Sequence, residues 1–333
     1  MKNTKLTIKD ISEMTGFSIR TVSRVINNDD NVKKETREII EKTLGETGFQ
    51  TNIFAKNLRK KSMNNIMVVI EKQKNTYPGQ WYNILFQKII DRLSEFNYNI
   101  FLTEYIPEQK EPLNGIQFLK SGFVDGAILF NIKEKDKKIK LFKEASIPFV
   151  TIEKDKKADN PYVCTDNFFG IYRAVEHLVN TGIKDIKMLI GNLGYTLNNE
   201  RKNGFIKAFE DYNLKFDASN IISDIRTFKD TYEYCKNTEK LPEALIISGD
   251  EKAFGAIKAL HERRIKIPEE ISIIGYDNIP LSEFTTPALT TIEQPADEIA
   301  HTAADILINL IRKEKVQTQV TLPVKLIKRE TTR

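Results

Sequence analysis

The chain has 333 residues, 40% of them hydrophobic, and 51 Lys/Arg against 46 Asp/Glu give a net charge of +5; this exceeds one average domain and can furnish ordinary cores. No stretch approaches the roughly 20 apolar residues of a membrane span, and "MKNTKLTIKD" lacks the apolar run of a secretory signal. Cys164 and Cys235 stand far apart without a CxxC spacing and His177, His261 and His301 are scattered, so a disulfide framework, a metal site and a cofactor are not expected, whereas a soluble cytoplasmic protein is.

The first signals along the chain are helical. Thr7 followed by Asp10 has capping-box spacing and predicts a helix start, with Ile8, Ile11, Met14 and Leu6 as its apolar stripe. Gly16 can adopt the positive φ of a tight turn. Ser18 then caps a second helix that turns Val22, Val25 and Ile26 inward and leaves Ile19, Arg20, Ser23 and Arg24 towards solvent. A third helix, about 33–46, is expected to bury Ile39, Ile40 and Leu44 before Gly48 ends it. Two helices joined through a glycine turn and supported by a third make a helix-turn-helix, whose second helix can enter a major groove. Arg20 and Arg24 lie four apart and share a face, from which an arginine can bond bidentately to guanine.

Charge placement agrees with a polyanionic partner. Residues 1–61 hold 13 Lys/Arg and 8 Asp/Glu, a net of +5, while residues 62–333 hold 38 of each sign. Cations set against phosphates release counterions and gain affinity, although a solvated Lys-rich N-terminus would carry the same bias. The following "TNIFAKNLRKK" (51–61) mixes Ile53, Phe54 and Leu58 with Asn, Lys and Arg in a segment too short for a stable isolated helix. It reads either as a linker or as a segment that folds on DNA and levers a leucine between base steps.

From "NNIMVVIEK" onward, β-branched runs alternate with amphipathic helices. "IMVVI", "NIFLTE", "VDGAILF", "PFVTI", "DIKMLIG", "EALIISG" and "ISIIGYD" read as strands, and Trp81, Leu85, Ile89, Leu93 and Phe96 recur at helical spacing. Such alternation means parallel sheets with crossover helices, and this many units suit two doubly wound subdomains with ligands at the strands' carboxyl ends. Phe101, Phe118, Phe123 and Phe130 are expected in the core.

"LTIKDISEMTGFSIRTVSRVINNDDNVKKETREII" and "NIFAKNLRKK", then "VCTDNFFGIYRAVEHLVNTGIKDIKMLIG", "ERKNGF", "ISGDEKAFGAIKAL", "IPEEISIIGYDN", "PALTTIEQP" and "LPVKLIKRETTR", resemble the LacI/GalR family of bacterial transcriptional regulators over essentially the whole chain. The resemblance implies an α/β fold. A three-helix helix-turn-helix headpiece (1–50) and a hinge helix (51–61) would precede a periplasmic-binding-protein core (62–333). The core would divide into subdomain one, about 62–162 and 291–322, and subdomain two, about 163–290 and 323–333. It also implies that Ser18, Ile19, Arg20, Thr21 and Arg24 belong to the DNA-recognition helix, with Ile19 and Arg20 the most operator-dependent. Thr7, Thr21 and Asn27 would contact phosphate, and Ala55 and Leu58 would enter the minor groove. Lys33 replaces the usual capping Ser, Thr51 the usual Pro, and Gly45 and Thr47 weaken the third helix, so a less stable headpiece is expected; glycine costs a helix about 1 kcal/mol relative to alanine.

For the effector pocket the strand ends supply Glu71, Asp166, Asp250 and Asp277, and Arg201 is expected to open a helix facing the cleft. Acidic residues after strands commonly cap helices, a reading that competes for Asp166 and Asp250; Asp277 and Arg201 match effector-binding positions of the family. A carboxylate facing a guanidinium suits hydroxyls or an acidic group. Tyr77 and Trp81 could stack on a ligand's apolar face, or Trp81 could fill the core.

The leading reading is therefore a DNA-binding regulator, expected to be a repressor, that binds an inverted repeat as a homodimer under control of a small molecule. The resemblance weights that effector towards a sugar, sugar acid or sugar phosphate, with nucleosides and purines next. "KLIKRETTR" ends directly after a strand, favouring dimer over tetramer. The alternative is a transport or chemoreceptor sugar-binding protein, against which stand the missing secretory signal and the helix-turn-helix. An enzyme is not expected: P-loop, G-x-S-x-G and H-E-x-x-H motifs are all missing.

Overall fold

The computed structural model describes residues 6–27, 29–49, 62–72 and 79–333; the expectations for Ala55, Leu58 and Tyr77 lie outside the described residues. The chain divides into two compact units, Met1–Met63 and Asn64–Arg333.

Within the first unit, three helices follow from local signals: α1 (Ile8–Thr15), α2 (Ile19–Ile26) and α3 (Lys34–Thr47). Thr7 and Asp10 close a reciprocal capping box, and Gly16 ends α1 at φ 74°, a left-handed conformation that costs other residues energy. The core is small. Ile11, Val22, Val25 and Ile40 are buried, with Ile8, Phe17, Ile26, Val32, Leu44 and Phe49 packed around them. Met14 and Leu6 do not join it; they are 60% and 39% exposed, and Ile39 is 50% exposed. Consecutive residues point about 100° apart on a helix, so only one of Ile39 and Ile40 can face so narrow a core. Lys33 makes no side-chain cap on α3.

Two six-stranded sheets organise the second unit. The first runs β2-β1-β3-β4-β5-β11, built from β1 (Asn65–Glu71), β2 (Asn99–Tyr105), β3 (Gly126–Leu129), β4 (Phe149–Ile152), β5 (Tyr162–Thr165) and β11 (Gln319–Leu322), with every pairing parallel. The second runs β7-β6-β8-β9-β10-β12, from β6 (Ile186–Leu189), β7 (Ile221–Ile222), β8 (Ala244–Ile247), β9 (Ser272–Asp277), β10 (Thr290–Glu293) and β12 (Lys325–Ile327); only β12 is antiparallel. Parallel strands covered by helices on both faces read as continuous apolar runs, as in "ALII" of β8, buried at every residue.

The helices of the second unit relevant to the cleft are α4 (Gln80–Glu95), α5 (Gln117–Lys120), α6 (Lys137–Glu144), α7 (Asn167–Asn180), α8 (Thr196–Asp211), α9 (Phe228–Asn237), α10 (Asp250–Glu262) and α11 (Ala296–Arg312). Helices α4 and α11 pack on the first sheet through Leu85, Ile89, Leu93, Ala303 and Leu307, while α7 and α8 pack on the second through Ile171, Leu178, Phe205 and Phe209. The chain passes from the first sheet to the second after Thr165, returns after Glu293 and crosses again after Leu322. The first two crossings therefore fall a few residues later than the expected 162/163 and 290/291, because β5 and β10 extend to those points. Phe130 is buried, but Phe101 and Phe118 are 38% and 37% exposed. They meet Phe123 at ring separations of 5.0 and 4.8 Å beside edge strand β2 rather than in the core.

Candidate functional site

The exposed face of α2 carries the candidate base-reading groups. Ser18 accepts a hydrogen bond from the Thr21 amide at 3.2 Å and shares one with the Thr21 hydroxyl at 2.9 Å, so the helix starts at a defined residue. Val22 and Val25 anchor the opposite face in the core. Ile19 is 45% exposed and Arg20 is exposed, with no ion pair to any described residue. Arg24 is exposed but leans 3.6 Å from Asp29. Asn27 donates to the Ser23 carbonyl at 2.7 Å, and Thr7 donates to Asp10 at 2.7 Å; both are exposed groups already engaged in helix ends.

In the core, the cleft lies at the carboxyl ends of both sheets, and its centre is a chain of side chains running from one subdomain to the other. Glu153, directly after β4, receives the Asn167 amide on both carboxylate oxygens at 3.2 and 3.1 Å. The Asn167 carbonyl oxygen in turn accepts Arg201 Nε at 2.8 Å, and Arg201 Nη1 donates to Ser248 at 2.7 Å. The guanidinium lies 3.6 Å from the centre of the Tyr276 ring. Arg201 is only 5% exposed and sits in the second turn of α8, not at its start. Asp277 ends β9 at φ 124°, a rare conformation for a residue with a side chain, and its Oδ1 accepts Gln294 Nε2 at 2.7 Å.

Charge in this enclosed space is perturbed for identifiable reasons. Burial pushes the Glu153 carboxyl up to about 7 against the pull of Arg201 and Asn167. Burial, then the charge of Asp250, pushes Asp277 up to about 7. Lys252, in the first turn of α10, is driven down to about 8 by burial and then by Arg201. The Tyr82 hydroxyl rises to about 12 through burial and then through Glu153 and Asp277, so a group from α4 faces carboxylates from both sheets.

The other candidates have protein partners. Glu71 receives Lys133 at 2.6 Å and Tyr195 at 3.0 Å, with Lys138 at 3.7 Å, and so ties the end of β1 to the loop before α8. Asp166 caps α7 through the Phe169 amide at 2.9 Å. Asp250 is fully buried and accepts Thr291, Ser282 and the Ile279 amide at 2.5, 2.7 and 3.0 Å, which makes it an internal clamp of the second subdomain. Trp81 packs against the core of the first sheet. Glu153, Asn167, Ser248, Lys252 and Tyr82 escaped the sequence reading. Glu153 follows "PFVTI" and Ser248 follows "EALII", so the strand-end signal was there for these two.

Taken together, a capped helix-turn-helix unit and a two-sheet core with a charged inter-subdomain cleft define the class of ligand-responsive helix-turn-helix regulators. Residues 7–52 match the family described as bacterial regulatory proteins, lacI family, and residues 175–332 match the periplasmic binding protein-like domain. The chain is 31% identical over 317 residues to the HTH-type transcriptional repressor PurR of Actinobacillus pleuropneumoniae, covering 94% of this chain and 93% of that one. It is 30% identical over 333 residues to the HTH-type transcriptional regulator RegA of Clostridium saccharobutylicum, covering 98% of each. Among solved structures, the lac repressor dimer bound to operator and the anti-inducer ONPF aligns with a TM-score of 0.86 at 24% identity, over 98% of this chain and 99% of that one. A lacI-family regulator from Enterococcus faecium with bound ribose aligns at 0.69 and 28% identity, over 80% and 98%. The chain belongs to the LacI family of transcriptional regulators. Among its described residues no helix is long and apolar enough to cross a membrane.

Proposed function

We propose that this regulator represses transcription by binding an inverted-repeat operator as a homodimer, and that a sugar or sugar derivative in the core cleft controls the binding. The observation that carries the DNA reading is the solvent face of α2, where Ile19 and Arg20 stand exposed on a helix capped by Ser18 and anchored by Val22 and Val25. An arginine with no ion pair to any described residue can offer its bidentate donors to a guanine edge. Ser18 and Arg24 share the recognition helix, and Thr7, Thr21 and Asn27 supply groups for phosphate contact.

Exposed Phe228 and Leu281, at 64% and 50%, line one surface pocket with Tyr232 and Phe254 and supply an apolar patch on the second subdomain that suits pairing of two copies. For the effector, Arg201, Asp277, Asn167 and Glu153 offer charged and neutral hydrogen-bonding groups to a hydroxylated ligand spanning both subdomains. The ribose-bound relative supports a ligand of that kind. Coupling between cleft and DNA of this sort typically amounts to about 1–3 kcal/mol.

Selection of bound duplexes from a random pool by the full-length protein, with and without mixed sugars, tests the reading. An enriched inverted repeat supports it, and loss or gain of binding with sugar identifies inducer or corepressor. No enrichment at low salt overturns it. Arg20→Ala is expected to cost about 1–3 kcal/mol in operator affinity and to relax one base position in each half-site. Fluorescence anisotropy with single-base operator variants reads both effects.

A further inference from the structure

Lys252 has a setting that a neutral-sugar cleft would not need. It lies on the first turn of α10, half-buried, and its one recorded hydrogen bond among the described residues is a long one, 3.4 Å to the Ile225 carbonyl. An ammonium has three donors, so most of its capacity is unspent. Asp277 attracts it but does not come within ion-pair distance. Its stem runs across Gly249, where φ is 137° and where an added Cβ would fall 2.8 Å from Lys252 Cε and 3.8 Å from Asp277 Oδ2. Glycine at 249 thus leaves room for the lysine head beside the cleft carboxylate.

A second cation is close by. Arg201 spends Nε on Asn167 and Nη1 on Ser248, while Nη2 has no recorded partner among the described residues. The charge of Arg201 disfavours that of Lys252 in a space where burial already disfavours the ammonium. Burial pushes the carboxyls of Glu153 and Asp277 up to about 7, which weakens the negative charge they set against the two cations. A methionine would fill the volume of Lys252 without this cost.

We propose that Lys252 is a specificity-determining residue which, with Arg201, selects effectors bearing a carboxylate or phosphate on a hydroxylated skeleton, that is sugar acids or sugar phosphates, over the neutral sugars. An anionic group between the two cations satisfies the spare donors and relieves their repulsion, while Asp277 and Glu153 accept from the ligand's hydroxyls. This inference rests on the sugar reading of the cleft.

The test is calorimetric titration of full-length protein at pH 7 with matched sets: glucose, glucuronate and glucose 6-phosphate, then ribose and ribose 5-phosphate. At least one anionic member is expected to bind about tenfold or more tightly than its neutral parent. Lys252→Met is expected to lose about tenfold for that ligand while Lys252→Arg keeps most of the affinity, with thermal unfolding checking that both variants fold. The carboxylate and phosphate arms identify which anion is read. A neutral parent that binds as well as its anionic partners, or a Lys252→Met variant with undiminished anion affinity, overturns the proposal and leaves the sugar reading intact. Binding by no member of either set overturns both, without touching the operator selection.

Discussion

The headpiece and the core use the same kinds of side chain in opposite ways. In the headpiece, a four-residue core holds three short helices, and the candidate base readers Ile19 and Arg20 point outward and exposed. In the core, large apolar clusters hold two sheets whose working groups point inward, each tied to another: Glu153 to Asn167, Asn167 to Arg201, Arg201 to Ser248. One surface waits for a polyanion and depends on free charge. The other is prearranged, and its affinity comes from groups already oriented and partly desolvated. The difference teaches that a reader of DNA backbone and base edges can be built on little structure, whereas a small-molecule sensor needs a rigid frame.

The contrast can be broken most forcefully through the small core. Ile40→Ala is expected to cost about 2–5 kcal/mol, comparable to what so few buried residues can supply. The headpiece should then melt as a separate early transition while the core transition in calorimetry stays where it was. A single shifted transition for the whole chain would show that the two regions do not unfold independently.

The pH dependence should have opposite signs in the two regions. Glu153 is raised in the folded core, so its neutral form is favoured there; its contribution is complete below about 4.5 and is lost as pH climbs through about 7. Core stability should fall by up to about 3 kcal/mol over that window, with Asp277 acting in the same direction. Asp10 and Asp29 in the headpiece are lowered, chiefly by backbone hydrogen bonds from Thr7 and Asn31, so their contribution is present above the unfolded value and lost as pH drops. Denaturant melts of the core at pH 5 and pH 8 measure the slope, and Glu153→Gln should flatten it. An unchanged slope in that variant would remove Glu153 as the cause.

The smallest effect sharpens the role of local coding. Thr7→Ala removes half of the capping box on α1 and should cost the headpiece about 1 kcal/mol, read as a lower midpoint of its early transition with the core unmoved.

How much was legible differs between the regions for the same reason. Thr7 with Asp10, Ser18 with Thr21, and Gly16 and Gly48 act over three or four residues, so the helix ends of the headpiece could be read directly. Met14, Leu6 and Ile39 misled because periodicity names a face without saying how wide the partner's face is. In the core the strand runs were plain, yet the site was only partly so. Asp250 comes just after an apolar strand and Asp277 ends one, and nothing local tells which carboxylate will be absorbed. Thr291 and Ser282, 41 and 32 residues away, absorb the carboxylate of Asp250, while the Asp277 carboxyl is left beside Lys252 and Arg201.

By itself, then, the sequence determined the elements, their order, the helix-turn-helix and the family, because caps, turns and periodicity are short-range chemistry repeated along the chain. Tertiary structure alone decided which polar residues work. Asn167 reaches Arg201 across 34 residues and Arg201 reaches Ser248 across 47. Whether a buried charge ends as a clamp or as a ligand depends on how many donors surround it, and that number exists only once distant segments have come together.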